Sequence, residues 1–253
     1  MTMRRLAQKA VSVYQEEGMQ TVLRNIPTAI LTRSHGYFNR SDIVTDGDIL
    51  VPSSESISNN EIGRIHFGWH EQSERLAIQK YLPTDIPVIE LGAGIGYISS
   101  YIDETLQEEE HLAVEANENL WSALELTREL NSASYKIIKK AYHPNSSSVS
   151  LSNSTDYSEQ SVLERSGGIR TVSLKDLVNK YDLDKFALVA DIEGAERLII
   201  EEEIELLRKH CPWIIVEWHG TISEDVLLKS GFEKVSEIDE VYIFLNKELK
   251  YMI

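Results

Sequence analysis

One cysteine, Cys211, stands among 253 residues. A single thiol excludes an internal disulfide framework and points to a reducing compartment. Beside Pro212 and ahead of an apolar run, Cys211 reads as a small buried hydrophobe rather than a nucleophile. Long hydrophobic runs are missing too. Nothing approaches the roughly 20 apolar residues of a membrane span, and Met1 to Gln20 lacks the continuous apolar core of a secretory signal. The expected location is cytoplasmic. Basic residues are scarce: 25 Lys and Arg face 41 Asp and Glu, a net charge of −16. That balance disfavours a non-specific grip on nucleic-acid phosphates, so no nucleic-acid partner is expected. The bases that exist are unevenly placed. Residues 1–40 hold six against two acids, +4, which leaves 19 bases and 39 acids, −20, for the remainder.

That first segment is patterned as a helix over Met3 to Leu23, with Leu6, Ala10 and Val13 on one side and Arg4, Arg5 and Lys9 interspersed. Residues 1–40 are read as a helical extension ahead of a domain spanning 41–253. The extension either packs on the domain or makes a weak, peripheral membrane-surface contact. The oligomeric state is not legible.

The remainder suits one large α/β domain with a real core. A short strand is expected at Asp48 to Val51 and a helix from Ile62 to Tyr81, interrupted at Gly68. Within it His66 and His70 have the spacing of metal ligands, with Glu74 one step on. No Glu follows the first His as zinc proteases require, so no metal site is expected there. Strands then alternate with helices: strand at 88, helix 96–107, strand at 111, helix 118–131, strand Tyr135 to Ala141. After a serine-rich stretch (Asn145 to Ser161), read as a polar hairpin or loop, come strand Phe186 to Ala190 and helix Ala195 to His210. Strand Trp213 to Trp218 and an antiparallel pair, Phe232 to Ile238 with Val241 to Leu245, close the list. This is a doubly wound, seven-stranded pattern. Asn145-Ser-Ser and Asn153-Ser-Thr fit glycosylation acceptors only by coincidence, given no secretory signal.

Three segments carry chemistry. In Val88-Ile-Glu-Leu-Gly-Ala-Gly-Ile-Gly-Tyr-Ile98 a strand runs into glycines at 92, 94 and 96, with Glu90 ahead of them. A dinucleotide loop needs its third glycine at 97, where Tyr97 stands. The acid and alternating glycines fit better the S-adenosylmethionine loop of class I methyltransferases. About twenty residues on, strand His111 to Glu115 ends in an acid, where α/β nucleotide folds hold ribose hydroxyls. In Val189-Ala-Asp-Ile-Glu-Gly-Ala-Glu-Arg197, Asp191 and Glu193 sit two apart at a strand's carboxyl end. Continued strand geometry would turn both carboxylates the same way.

With these segments the chain resembles the FkbM family of methyltransferases. Asp191-Ile-Glu-Gly-Ala-Glu196 matches the family's signature and Glu90 to Tyr97 its cofactor loop. Glu115-Ala-Asn117 matches the ribose turn, Thr171 to Leu177 the segment before the signature strand, and Ile214 to His219 the strand after it. Glu90 stands for the more usual Asp, Gly94 for a frequent Asn, and Ala190 for a Lys that commonly precedes the signature. The resemblance implies a Rossmann-like class I fold with helices on both faces of the sheet, and S-adenosyl-L-methionine as cofactor. Its contacts would be Phe67, Glu71, Glu90, Gly92, Ala93, Gly94, Gly96, Tyr97, Glu115, Ala116, Asn117, Ala141 and Asp191. It also implies methylation of a hydroxyl on a sugar in a glycan or glycolipid, or on a polyketide-type alcohol. Candidates for the base are Asp191, Glu193, Glu217 and His219. The mechanistic rival is Mg²⁺ held by Asp191 and Glu193. A nicotinamide oxidoreductase and a non-catalytic Rossmann-like domain are the other classes weighed. The first fails at Tyr97, and the second makes idle the acids at 90, 115, 191 and 193. Amino-group methyltransferases would show Asn-Pro-Pro-aromatic, which is absent, and a cytosine-C5 enzyme would need a nucleophilic Cys that Cys211 does not supply.

Overall fold

The computed structural model describes residues 28, 30–37, 43–45, 48–54, 57–151, 163–192, 194–218 and 224–249, with only the backbone at 151 and 163–167. The expected helix at Met3 to Leu23 lies outside these residues, as do Glu193 and His219. The chain divides into two compact units, residues 1–48 with 53–70, and 49–52 with 71–253.

In the first unit residues 30–37 form helix α1, Ile43–Thr45 strand β1, and Asn59–His66 helix α2. Ser58 and Glu61 close a capping box at the start of α2, satisfying two otherwise orphaned amides. The two helices cross at backbone contact. A Cβ on Gly63 would meet the Thr32 carbonyl oxygen at 2.1 Å, and one on Gly36 the Asn59 oxygen at 2.0 Å. Thr32 donates to Asn60 across the same crossing.

The second unit is built on strands β3 (Val88–Leu91), β4 (His111–Glu115), β5 (Lys136–Lys139), β9 (Ala187–Ala190), β10 (Trp213–Glu217), β11 (Phe232–Ile238) and β12 (Val241–Asn246). They lie in the order β11-β12-β10-β9-β3-β4-β5. Counted within the sheet this is 3-2-1-4-5-7-6, the class I methyltransferase arrangement. Five strands are parallel and the β11–β12 hairpin joins β10 antiparallel. Parallel strands covered on both faces should be apolar throughout, and every residue of β3, β4 and β9 is buried. Alternate residues serve opposite faces. Leu91, Val114 and Leu188 pack with Leu177 of α6 (Leu174–Tyr181) and Ile199 of α7 (Glu196–Glu202). Ala113 packs with Leu124 of α5 (Trp121–Leu130) and with Tyr135.

Three elements differ from the sequence expectation. The helix expected from Ile62 to Tyr81 is two, α2 and α3 (Gln72–Tyr81), because Gly68 and Glu71 both take left-handed conformations. The helix expected over Ala195 to His210 also divides at Glu203, into α7 and α8 (Ile204–His210). Finally, the strand expected over Tyr135 to Ala141 stops at Lys139. Ala141–Tyr142 (β6) leaves the main sheet to pair with β8 (Leu163–Val172), which also pairs antiparallel with β7 (Ser148–Leu151). The serine-rich stretch thus enters a hairpin, its residues 152–162 lying outside those described. The short strand near Asp48 falls at Leu50–Pro52 (β2).

Candidate active site

The carboxyl edge of the parallel strands brings the sequence motifs together. Between β3 and helix α4 (Tyr97–Thr105), Gly92, Gly94 and Gly96 have φ of 93°, 56° and 86°, a region where side chains are strained. Gly92 is needed for a second reason: a Cβ there would lie 1.7 Å from the Asp191 carbonyl oxygen. The cofactor loop and the signature are therefore in backbone contact, and the Asp191 amide donates to Leu91 at 2.9 Å. Ala93 donates to Val114 at 3.0 Å, which ties the loop to β4 as well.

Glu115 ends β4 with its carboxylate aimed into this loop. Its Oε2 accepts from the Gly94 amide at 2.7 Å and its Oε1 from the Asn117 amide at 2.6 Å. Trp121 Nε1 donates to the Glu115 carbonyl at 3.0 Å, fixing the strand end, and Asn117 Oδ1 caps Asn119. Burial raises the Glu115 carboxyl and the amides of Asn117, Gly94 and Ala116 lower it, for a net value of about 7. With three amides donating to it, the carboxylate keeps acceptor capacity for a further hydroxyl, which suits a ribose. Glu90, buried on β3, bonds His111 Nε2 at 3.0 Å. Tyr97 turns its ring away into the interior, where its hydroxyl accepts from Arg75 at 2.5 Å. Ala141, fully buried, lies on β6. Phe67 belongs to the first unit, stacked on Trp69 at 5.0 Å.

The strand carrying the signature stops at Ala190. Glu193 lies outside the described residues, and its orientation relative to Asp191 with it. The β9–β10 register pairs Ala190 with Val216, so Asp191 and Glu217 each follow that pair in sequence, at the carboxyl ends of adjacent strands. Burial, and then the charges of Glu71, Asp191, Glu217 and Glu90, raise the Glu74 carboxyl well above its ordinary range. Among the described residues no group of three or more His, Cys, Asp or Glu is arranged to hold a metal ion. Glu74, weighed in the sequence only beside His66 and His70 as a metal ligand, is buried on α3. Its signal was an acid in line with the buried Ala77 and Ile78 on α3. His111, a histidine opening an otherwise apolar strand, is the buried partner of Glu90. Cys211 is buried, its thiol donating to the Trp213 carbonyl and pushed far up by desolvation, as expected of a packing residue.

Comparison with solved structures finds methyltransferases of low similarity. The METTL16 methyltransferase domain is 17% identical over 87% of this chain and 80% of that one, with TM-score 0.45. Precorrin-6y C5,15-methyltransferase from Geobacter metallireducens is 14% identical over 79% and 95%, with TM-score 0.43. The ribosomal protein L11 methylase of Lactobacillus delbrueckii subsp. bulgaricus is 14% identical over 70% and 77%, with TM-score 0.42. No curated protein sequence gives a match. The methyltransferase FkbM domain, however, matches residues 90–252, from the first acid of the glycine loop to the penultimate residue, and the chain belongs to that family of S-adenosylmethionine-dependent methyltransferases.

Proposed function

We propose that the chain is an O-methyltransferase acting on a hydroxyl of a sugar, in a glycan or glycolipid. The observation that carries this reading is that Asp191 and Glu217 follow the paired ends of β9 and β10, with the Asp191 backbone against Gly92 of the glycine loop. An alcohol is a poor nucleophile at neutral pH, so a base must take its proton as the oxygen attacks. A carboxylate at either strand end would supply that base and could orient a polyhydroxy acceptor through its remaining lone pairs. S-adenosylmethionine supplies an electrophilic methyl group. Glu115 would hold its ribose, and Glu90 with Glu71 its cationic amino-acid end. Glu193 and His219, which lie outside the described residues, remain alternative bases on the family resemblance.

The test is turnover with S-adenosylmethionine against sugars, lipid-linked glycans and simple polyketide-type alcohols. Asp191→Asn or Glu217→Gln should lower kcat by about 10²–10⁴, the range for loss of a general base. Methylation of a non-sugar alcohol with no activity on any glycan would remove the sugar and keep the O-methyltransferase. The Mg²⁺ alternative has its own signature: turnover lost in EDTA and restored by Mg²⁺ or Mn²⁺. Turnover unchanged in EDTA would assign the acids to base and positioning work.

A further inference from the structure

Glu90 and His111 are each only 2% exposed, on two central parallel strands. The β3–β4 register sets His111 opposite Val88 and Ala113 opposite Glu90, so strand alternation puts both side chains on one face of the sheet. On that face Ala113 packs with Leu124 and Tyr135, and the His111 ring lies 5.5 Å from that of Tyr135. His111 Nε2 stands 3.0 Å from Glu90 Oε2. Neither side chain makes another hydrogen bond among the described residues. An ionised carboxylate only accepts, so Nε2 carries the hydrogen. His111 Nδ1 is fully buried and has no partner among the described residues. A second hydrogen there would be a buried donor without an acceptor, the costlier way to leave that nitrogen. The ring is therefore held as its Nε2–H form. It donates to Glu90 and brings no charge to cancel the carboxylate's, as a Lys or Arg in its place would. The His111 side chain has no exposure and that of Glu90 has 3%, so the pair's slight opening is on the Glu90 side.

Resting on the methyl-transfer reading above, we propose that His111 is a positioning residue for the cofactor's cationic amino-acid end. It holds one oxygen of Glu90 and leaves the other, with the charge, for the ammonium group. His111 touches no ligand itself and acts only through Glu90, two residues ahead of Gly92. A glutamate carboxylate is set by three torsions, and ordering it at the moment of binding costs rotamer freedom. The ring removes that freedom in advance, which raises affinity by lowering the cost of binding rather than by adding a contact. The unbalanced charge has the same consequence. A carboxylate buried beside a neutral donor is poorly compensated, and a cation seated against its second oxygen completes the pairing.

The experiment compares the affinities of S-adenosylhomocysteine and 5′-methylthioadenosine, which has the same adenosine and thioether but no amino-acid end. His111→Phe keeps a ring against Tyr135 and removes the donor. It should weaken S-adenosylhomocysteine by about tenfold to a hundredfold, the range for losing a partner that orients a binding group, and leave 5′-methylthioadenosine unchanged. His111→Gln keeps an N–H donor and should recover part of the loss. Glu90→Gln should show the same selectivity, and adding His111→Phe to it should cost nothing more, because the two residues act as a unit. If His111→Phe weakens both ligands equally, or neither, the proposal is overturned and the methyltransferase reading stands. Additive losses in the double variant would overturn it in the same way. The ring can also be read in the wild-type protein, whether or not the variants fold. Two-bond ¹H–¹⁵N correlations at neutral pH should show hydrogen on Nε2 alone, and hydrogen on Nδ1 would defeat the proposal. Binding of neither ligand to the wild-type protein would remove the reading on which the proposal rests, and the proposal with it.

Discussion

At Gly92 the backbone has to satisfy two demands at once, a φ of 93° and a carbonyl oxygen where a Cβ would be. Gly92→Ala should therefore destabilise by at least about 2 kcal/mol, combining left-handed strain with a forced shift of the signature loop. Urea unfolding of the variant measures it, and a change within a few tenths would show that the loops are not in backbone contact. Glu115 makes a different prediction. Its value of about 7 lies above the ordinary 4.5, so the folded state binds the extra proton between those limits. The resulting stabilisation is full below the unfolded value and is lost as pH rises through the folded one. Cofactor affinity moves oppositely, because the ionised carboxylate is the better acceptor for ribose hydroxyls. Affinity for S-adenosylhomocysteine should rise with pH up to about 7 and then level off. Glu115→Gln should flatten that rise, and Glu115→Ala should weaken binding by about 1.5–3 kcal/mol. The glycine spacing made Gly92 legible from sequence, and the acid ending the next strand made Glu115 so. What spacing could not convey is that Gly92 answers to Asp191 from another strand. Glu74 was equally hidden, since a single acid in an amphipathic helix looks like part of its solvated face until the opposing strands are in place.

Helices α7 and α8 show the limit of periodicity as a guide to elements. Their apolar spacing reads as one helix, yet Glu203 takes φ −120° and ψ 17° between them. Its buried carboxylate explains why. Oε2 accepts from the Tyr142 hydroxyl at 2.8 Å and the Leu174 amide at 3.0 Å, and Oε1 from the Lys175 amide at 2.9 Å. Those amides open α6, where Ser173 and Asp176 complete a capping box. A negative charge there is stabilised by the helix dipole as well as by its donors. Glu203 thus ties β6, α6 and the α7–α8 junction together. Glu203→Ala should cost about 2–4 kcal/mol, since it leaves several buried donors unsatisfied. Glu203→Gln should cost less, keeping an acceptor but losing the charge. Thermal denaturation of both variants checks the order, and an undisturbed melting temperature in Glu203→Ala would remove the tie. The parallel strands, by contrast, were legible to within a residue or two. A strand buried on both faces can be recognised by its own composition, whereas a helix broken by a tertiary hydrogen bond cannot.

Charge is the property of the whole molecule that bears on where it works. The chain carries −16 overall, with +4 in residues 1–40, a segment that the domain match over 90–252 does not include. Among the described residues no helix is long and apolar enough to cross a membrane. A body this acidic is repelled by anionic lipid, so any approach to a membrane must be made by the basic segment. Arg4, Arg5, Lys9 and Arg24 would each contribute about 1 kcal/mol near an anionic surface, enough for reversible contact but not for anchoring. Deleting residues 1–24 removes all four. If the acceptor is a lipid-linked glycan, the truncated protein should keep its activity on a soluble sugar and lose much of it on the same sugar in vesicles containing anionic lipid. Raising the salt concentration should lower the full-length protein's vesicle activity toward that of the truncated form, because the attraction is screened within a Debye length. Equal loss on soluble and vesicle-borne acceptors would make the segment part of the folded enzyme rather than a membrane contact. Full activity of the truncated form on both would leave the acidic body sufficient by itself and remove the membrane from the account.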